Sequence, residues 1–381
     1  MPPTCCHEGI TVRSVPFFDY PALYSRDRDG FLAVFDDVCS RGAYILQRDV
    51  DEFEQRICDL IGVKHAVSVA NGTDGLIIAL RSVGIKPGDE VILPAHTYVA
   101  TAAAVHLTGG KPILVECGAD HMMDFAAAER AVTGKTRFLM PVHINGRTCD
   151  MDACQSLASK YDLGIVEDAA QALGSRFRDR YAGTLGLAGM FSLYPAKLLG
   201  CFGDGGVVVS NSDAIAERMR LWRDHGRDKN GDVIGWGMNS RLDNLQAALL
   251  NHKLKGYDNE LQRRREIAAR YEERLSDVKE LTLPLGPDAD PRHFDVYQNY
   301  ELEADDRDNL KSFLAEQGVG TIIQWAGKAV HQLRGLGFEN VSLPVTERMT
   351  SRFLMLPMHT ALNDDDVDYV CDAIRRFYGI S

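Results

Sequence analysis

The sequence contains no apolar run that reaches the roughly 18 residues of a membrane-spanning helix, and its start lacks the basic and apolar stretches of a signal peptide. We therefore predict a cytoplasmic protein with no membrane partner. Basic residues are also scarce, because 42 Lys and Arg stand against 54 Asp and Glu and give a formal net charge of -12. Since no long Lys/Arg cluster is present, we do not expect nucleic-acid binding.

Sequence motifs for metal or dinucleotide binding are missing as well. The nine cysteines are irregularly spaced and form no CxxC pair, so we predict reduced thiols and no metal site. No GxGxxG sequence follows the first strand candidate, which argues against a dinucleotide-binding protein. The 381 residues are enough for two domains, or for one large domain with a smaller one, at roughly 100 to 200 residues each.

Short apolar runs alternate with helical patterns from about residue 50 to residue 210, which is typical of a mainly parallel sheet with crossover helices. Several of the runs are apolar on both faces, as a sheet covered by two helical layers requires. The predicted strands are 66–70, 90–94, 112–115, 138–142, 164–168, 189–194 and 206–210. The predicted helices are 73–83, 98–107, 125–132, 151–160 and 213–223.

The rest of the chain predicts a second, smaller unit. Residues 242–275 are rich in helix formers with apolar residues at three-to-four spacing, which indicates one long helix or a helix broken at Gly256. A Pro/Asp-rich connector at 283–293 then leads to a small α+β segment. Its predicted elements are a strand at 296–302, a helix at 306–317, a strand at 320–325 and a helix at 364–378. We predict a large domain at 1–256 and a small domain at 257–381.

The segment AVSVANGTDGLIIAL carries the first candidate site, because an apolar strand runs through Gly72 and Thr73 directly into a helix. A glycine permits close approach of the backbone, and a helix N-terminus offers unpaired N–H groups and the positive end of its dipole. This pattern is typical of an anion site. Thr73 as a plain helix cap is an equally good interpretation.

The segment GIVEDAAQALGS delivers Glu167 and Asp168 to the carboxyl end of a strand, where open α/β sheets bind ligands. Because side chains alternate along a strand, the two carboxylates point to opposite faces, and we expect only one of them to serve a ligand. The alternative is that Asp168 is simply a solvated residue that ends the strand.

Lys197 lies 29 residues after Asp168, among small and apolar residues and before a glycine run. Lysine is usually a solvated surface charge. In a confined place, however, desolvation lowers its pKa and favours a Schiff-base amine. A phosphate cradle, a carboxylate and such a lysine together are what pyridoxal phosphate (PLP) requires, because the carboxylate keeps the pyridine nitrogen protonated while the lysine anchors the aldehyde and moves protons.

These segments resemble the DegT-type sugar-nucleotide aminotransferases, a branch of the fold-type I PLP enzymes, over nearly all of residues 15–378. The matching segments, in the family's order, are NGTDGL, KPGDEVILPAHTYVAT, PVHINGRTCDMD, EDAAQALGS, FSLYPAKLLGCFGDGGVVV, DHGRD and GMNSRLDNLQAALL. The resemblance implies an α/β fold of three layers around a mainly parallel sheet, the PLP-transferase fold, with a smaller C-terminal α+β domain.

The resemblance also implies roles for the cofactor-binding residues. Gly72, Thr73 and Ser192 are expected to hold the cofactor phosphate, Tyr98 to stack on the ring, and Gln171 to lie near the ring hydroxyl. Asn239 is expected to reach the phosphate in the neighbouring subunit, which makes the active unit a homodimer with shared active sites.

Lysine at position 197 favours transamination, since the related 3-dehydratases carry histidine there. The GDGG sequence after it is more similar to members that aminate a C3 ketone than to those that aminate C4. The resemblance thus implies a nucleotide-linked keto-sugar as substrate, glutamate as donor, pyridoxamine phosphate in the half-reaction, and amino-sugar or polysaccharide biosynthesis. The sequence departs from the family pattern at Gln47, Asn145 and 324–333. We expect these departures to affect which substrate is bound and not how the cofactor is bound.

Candidate substrate contacts are His143, Arg227, Arg241 and His331, with Lys229 as a further basic residue for a polyanionic nucleotide. Each can equally be a structural or solvated residue. Two other functions also stay open. One is a PLP aminotransferase of a non-nucleotide keto-sugar, keto-cyclitol or small phosphorylated ketone or aldehyde. The other is a non-catalytic regulatory protein of the same fold, against which the retained catalytic residues argue.

Overall fold

A computed structural model describes residues 13–380, so Cys5, Cys6 and the rest of the first twelve residues lie outside it. The helices of the described residues are α1 (Tyr20–Ser25), α2 (Arg28–Arg41), α3 (Arg48–Ile61), α4 (Gly72–Val83), α5 (Val99–Leu107), α6 (Phe125–Arg130), α7 (Met151–Tyr161), α8 (Asp213–Arg223), α9 (Asn244–Lys253), α10 (Tyr257–Leu275), α11 (Arg307–Glu316), α12 (Pro344–Thr350) and α13 (Asp364–Phe377). Within residues 13–380, no helix is both long and apolar enough to cross a membrane.

The strands are β1 (His65–Val69), β2 (Glu90–Pro94), β3 (Lys111–Val115), β4 (Thr136–Leu139), β5 (Gly164–Asp168), β6 (Arg176–Phe177), β7 (Arg180–Tyr181), β8 (Ala188–Ser192), β9 (Gly206–Ser210), β10 (Leu281–Thr282), β11 (His293–Phe294), β12 (Tyr300–Ala304) and β13 (Phe353–Leu356). Seven of them form the central sheet in the order β1-β9-β8-β5-β4-β2-β3. Strand β9 is antiparallel to both of its neighbours, and the other neighbouring pairs are parallel.

Both faces of this sheet are buried under helices. Val91 and Leu93 belong to the core shared with α4, α5 and α8, whereas Ile92 between them belongs to the core shared with α6 and α7. The apolar runs therefore fill two helix–sheet interfaces at once, because successive side chains of a strand point to opposite faces. The predicted α/β class and three-layer architecture are confirmed.

The C-terminal part has a core of its own, formed by α10, α11, α13 and the antiparallel sheet β10-β12-β13. Tyr271, Leu302 and Ile374 are buried in it, and Val15 from the start of the chain joins them. The separation of this core from those of the large sheet supports two domains. The boundary after residue 256 stays a proposal, since Tyr257 and Leu261 at the start of α10 still pack in a core of the large sheet.

The structure differs from a regular helix and strand at two places in this region. The helical pattern 242–275 is broken, since a 3-10 turn at Leu254–Gly256 separates α9 from α10. The predicted strand at 320–325 is wrong: Ile322 makes a single bridge to Met355, and the backbone then enters a 3-10 turn in which Trp325 and Ala326 have positive φ angles. The strands that pair with β12 are β10 and β13, and the sequence pattern predicted neither of them.

Candidate active site

A cavity of about 650 Å³ lies at the carboxyl ends of the parallel strands. Eight of the predicted site residues line it, namely Gly72, Thr73, Tyr98, His143, Asp168, Gln171, Ser192 and Lys197. They come from five separate stretches of sequence, which the parallel topology collects at one edge of the sheet, where α/β proteins bind their ligands.

The first wall of the cavity is built by the turn between β1 and α4. The Asn71 side chain caps α4 by accepting a hydrogen bond from the Asp74 N–H group at 2.8 Å. The N–H groups of Gly72 and Thr73, at the first positions of the helix, therefore stay available for an anion. Ser192, at the end of β8, packs so closely that a Cβ atom on Gly72 would lie 3.2 Å from its Cβ atom. This cradle fits a phosphate group.

Asp168 ends β5 inside the cavity, and its two carboxyl oxygens are held separately. The Thr101 hydroxyl donates to Oδ2 at 2.7 Å, and the Ala170 N–H group donates to Oδ1 at 3.1 Å. Thr97 in turn contacts the Thr101 hydroxyl at 2.7 Å. Burial raises the pKa of Asp168 above its ordinary value in spite of these bonds and of Lys197. A cation placed against this carboxylate, such as a protonated pyridine nitrogen, is therefore strongly favoured.

Glu167 points to the opposite face, as the strand alternation predicts. His143 donates to its Oε2 from Nε2 at 2.8 Å. Three backbone N–H groups also donate to Glu167, those of Gly183, Leu185 and Gly186. Because Nδ1 of His143 accepts from the Cys149 N–H group at 3.1 Å, its proton must lie on Nε2. Both ring nitrogens are thus occupied, which favours the structural interpretation of His143.

Lys197 lies in the loop between β8 and β9, and its N–H group donates to the Tyr194 carbonyl at 2.8 Å. Burial lowers the pKa of the lysine to about 8, although Asp168 acts in the opposite direction. An amine with this pKa is partly neutral near pH 7 and can act as a nucleophile. The desolvation predicted from the sequence around Lys197 is therefore present in the structure.

The cavity also contains surfaces suited to a planar ring. Tyr98, directly before α5, is 56% exposed, and its ring centroid lies 6.3 Å from that of Trp325. Gln171 accepts a hydrogen bond through Oε1 from the Asn145 N–H group at 2.7 Å, which leaves its amide N–H₂ group to donate elsewhere. Asn145 adopts a positive φ of 55°, a conformation that asparagine tolerates well.

A largely buried cluster of histidines and glutamates is joined to the cavity through Asn145, whose N–H group binds the cavity residue Gln171. The Asn145 amide donates to Oε1 of Glu301 at 2.9 Å, and Nε2 of His96 lies 3.3 Å from the same oxygen. His121 lies between Glu301 and Glu303, at 3.6 Å and 3.2 Å. Burial alone would lower the pKa of His121, but the two carboxylates raise it to about 9. Because Glu301 and Glu303 belong to β12, the cluster joins the C-terminal core to the large sheet.

We expect this cluster to make the folding stability decrease at alkaline pH. The pKa of His121 in the folded protein exceeds its ordinary value of 6.5, so its contribution is complete below pH 6.5 and is lost as the pH rises through about 9. The loss should be on the order of 2 to 3 kcal/mol.

Chemical denaturation at about pH 6 and about pH 9.5 measures this loss, because the titration lies between these values. His121→Gln should lower the stability at the lower pH and flatten the pH dependence. Replacement of the exposed His106 by Gln serves as control and should leave both unchanged. An unaltered pH slope in His121→Gln would contradict the assignment.

The remaining predicted residues do not line this cavity. Arg241 donates to Oδ1 of Asp224 at 3.1 Å, and Arg227 lies 3.9 Å from the same carboxylate. Asn239 is exposed, and its backbone pairs with that of Asp224. Nε2 of the buried His331 lies 2.9 Å from Oε1 of Glu347. The substrate role of His331 therefore finds no support in this geometry, and the role of Asn239 towards a neighbouring subunit stays a prediction.

Sequence reasoning missed other residues of the cavity wall. Thr101 binds Asp168 across 67 positions, and Gln298 lines the cavity from the C-terminal part of the chain. Gln324 and Trp325 also line it, in the segment where His331 was the expected contact. A threonine or a glutamine in a helix or a loop carries no local pattern that indicates such a role. Within the described range, no group of three or more His, Cys, Asp or Glu side chains is arranged so that it could hold a metal ion.

The anion cradle, the buried carboxylate and the half-buried lysine fit the phosphate, the pyridine nitrogen and the aldehyde of PLP. Fold and site together define a PLP-dependent enzyme. The model of the DegT/DnrJ/EryC1/StrS aminotransferase family matches residues 26–375. The chain belongs to this family.

Two relatives of known name and one solved structure are closely similar to the chain. The dTDP-3-amino-3,4,6-trideoxy-alpha-D-glucose transaminase of Streptomyces venezuelae is 39% identical over 368 residues, which cover 95% of this chain and 96% of the relative. The UDP-2-acetamido-2-deoxy-3-oxo-D-glucuronate aminotransferase of Pseudomonas aeruginosa is 35% identical over 363 residues, with 95% and 100% covered. The structure of S. venezuelae DesV in complex with a ketimine intermediate has a TM-score of 0.92 and 38% identity, with 97% and 99% covered.

Proposed function

We propose that the protein transfers the amino group of glutamate to the C3 ketone of a nucleotide-linked keto-sugar. The observation that carries this proposal is the cavity in which Lys197 and Asp168 lie beside an anion cradle. The similar enzymes act on nucleotide-linked sugars, and the names of both relatives place the nitrogen or the oxo group at carbon 3. This agrees with the GDGG sequence that follows Lys197.

Bound PLP supplies the electron sink that stabilises a carbanion at the reacting carbon. The residues of the chain have separate tasks around it. Lys197 would provide the amine that binds the aldehyde and would afterwards move a proton at its Nζ atom. Asp168 would hold the proton on the pyridine nitrogen, and the start of α4 with Ser192 would bind the phosphate. Tyr98 would face the ring, and Gln171 would donate to the ring hydroxyl.

A nucleotide-linked sugar is an anion, whereas the net charge of the protein is -12, so binding requires local basic groups. We propose Arg227, Lys229 and Arg241 for this task. Arg227 and Arg241 lie at Asp224 and outside the cavity of their own chain. The proposed homodimer would bring them, together with Asn239, to the cavity of the neighbouring subunit.

The amino donor can be tested in a half-reaction. Glutamate alone is expected to convert the absorbance of the Lys197-linked cofactor into that of pyridoxamine phosphate, and the correct keto-sugar should restore it. The two steps should be separable, because one cofactor serves both substrates in turn. A panel of nucleotide-linked C3 and C4 keto-sugars, followed by mass and NMR analysis of the product, identifies the sugar and the aminated carbon.

The outcomes distinguish the alternatives. If another amino acid converts the cofactor and glutamate does not, the donor is wrong but the aminotransferase class stands. If only a keto-sugar or a keto-cyclitol without a nucleotide restores the absorbance, the nucleotide is wrong. If no amino donor converts the cofactor, transamination is excluded, and the non-catalytic alternative is favoured.

Shared active sites can be tested with hybrid dimers of Asn239→Ala and Lys197→Ala subunits. In a shared site, one cavity of the hybrid combines both defects and the other combines neither. Random exchange makes about half of the dimers hybrid, so about a quarter of the wild-type activity should return from two impaired parents. No recovery after exchange verified by mass spectrometry would mean that each chain builds its own site.

A further inference from the structure

The side chain of Gln298 binds the backbone on both sides of Lys197. Its Oε1 accepts a hydrogen bond from the Leu198 N–H group at 2.8 Å, and its Nε2 donates to the Ala196 carbonyl at 2.7 Å. Both polar ends of the amide are thus used on the two residues that flank the lysine. Gln298 is only 3% exposed and lines the same cavity as Lys197.

Gln298 is itself held firmly by the C-terminal core. Nη1 of Arg264, a buried residue of α10, donates at 3.1 Å to the carbonyl of Gln298 and at 3.1 Å to that of Tyr297. The same Nη1 lies 3.0 Å from the Met358 carbonyl. Tyr297 has a φ of 48°, a left-handed conformation that costs a non-glycine residue free energy and persists only where its surroundings impose it. The backbone of Gln298 therefore has a fixed position, from which its side-chain amide reaches the residues beside Lys197.

The loop that carries Lys197 needs such support, because it contains neither helix nor strand between β8 and β9. Its own backbone bonds secure its two ends: Leu193 donates to Gly205, and Cys201 donates to Leu193. Near the lysine itself, the backbone bond within the loop is the one from Lys197 to Tyr194. The contact with Gln298 thus supports the part of the loop that is farthest from these end contacts.

We propose that Gln298 is a positioning residue for Lys197, which places the lysine against the cofactor and joins it to the C-terminal core. This inference rests on the proposed function, since Lys197 must be the amine that binds the cofactor. The lysine side chain is long and flexible. Its Nζ atom can keep one position against the cofactor only where its Cα atom is itself fixed. A misplacement of about 1 Å in reacting groups can slow a reaction about 10²-fold.

The test variant is Gln298→Met, which keeps the length of the side chain and removes both hydrogen bonds. Its matched control is Gln246→Met. Oε1 of Gln246 accepts from the Phe202 N–H group at 2.9 Å, so it binds the same loop but not the residues next to Lys197. Thermal unfolding is measured for both variants, so that loss of stability is separated from misplacement of the lysine.

Three further measurements report on the lysine. They are the rate at which the apoenzyme binds PLP covalently, the pH midpoint of the absorbance of the linked cofactor, and kcat and KM for glutamate. Gln298→Met should lower the rate of covalent binding and kcat about 10- to 100-fold, shift the pH midpoint, and change KM less than about threefold. Gln246→Met should keep the wild-type values. If Gln298→Met is insoluble, Gln298→Asn, which is too short for both bonds, receives the same measurements.

The inference is overturned if Gln298→Met retains the wild-type kcat and pH midpoint, or if Gln246→Met changes them equally. Failure of the proposed function has a different signature. In that case the cofactor would be linked to another lysine, as peptide mapping after borohydride reduction of the wild-type protein would reveal.

Discussion

Lys197→Ala should bind no PLP covalently and should lose transamination by at least about 10⁴-fold, since a nucleophile and a proton-transfer group disappear together. The physical basis is the environment of the amine. Among the described residues that line the cavity, Lys197 is the single lysine. Burial lowers its pKa to about 8. Without it, neither attack on the aldehyde nor proton transfer at the reacting carbon has a suitably placed amine.

Borohydride reduction followed by peptide mass spectrometry measures the covalent link, and single-turnover absorbance measures the loss of rate. Lys253→Ala is the matched control. Burial lowers the pKa of Lys253 as well, but its Nζ atom donates to the Gly200 carbonyl and it does not line the cavity. The control should retain the link. A Lys197→Ala protein with a borohydride-reducible link at another lysine would contradict the assignment.

Asp168→Asn is expected to bind PLP and to lose about 10² to 10³-fold in kcat, the effect of removing one preorganised electrostatic partner. An amide is nearly the same size as the carboxylate. Its oxygen can accept from the Ala170 N–H group, and its nitrogen can donate to the Thr101 hydroxyl, which then donates to Thr97. The amide carries no charge, however, and cannot stabilise the protonated pyridine nitrogen. The change should therefore appear in turnover, and the melting temperature should stay close to that of the wild type.

Glu167→Gln gives the opposite signature and serves as the control. Glu167 accepts four hydrogen bonds on the face of β5 that is turned away from the cavity. In the glutamine variant, the amide N–H₂ group would replace one of the accepting oxygens and would face N–H donors without an acceptor between them. This variant should lower the melting temperature by several degrees. Its kcat, measured at a temperature where it is folded, should fall much less than that of Asp168→Asn. Near-normal turnover in Asp168→Asn would exclude the proposed role.

Much of the fold could be predicted because its signals are local. The strands of the central sheet are short runs of buried apolar residues, and their two-residue period separates Glu167 from Asp168 without further information. The errors fall where distant partners decide the structure. Residues 320–325 have the apolar composition of a strand, but positive φ angles at Trp325 and Ala326 turn the chain away after one bridge.

Two of the substrate candidates, whose roles stay predictions, also have partners that the sequence does not indicate. His331 and Arg241 have side chains that suit an anionic ligand, yet in the folded chain each is paired with a carboxylate, Glu347 and Asp224 respectively. No short-range pattern indicates such pairings, because Glu347 belongs to α12 and Asp224 follows α8, each 16 or 17 positions from its partner. The cluster of His96, His121 and Glu301 was missed for this reason too, since the histidines and the glutamate lie far apart in the sequence.

The sequence by itself determined the α/β class, the strand-to-helix turn at Gly72 and Thr73, the carboxylate at position 168 and the lysine at position 197, because each depends on neighbouring residues and backbone periodicity. Only the tertiary structure decided what holds them. Thr101 binds Asp168 across 67 positions of the sequence. Gln298 binds the residues beside Lys197, and its bond to Leu198 spans 100 positions. Such contacts depend on how complete layers pack, and no local pattern of residues encodes that packing.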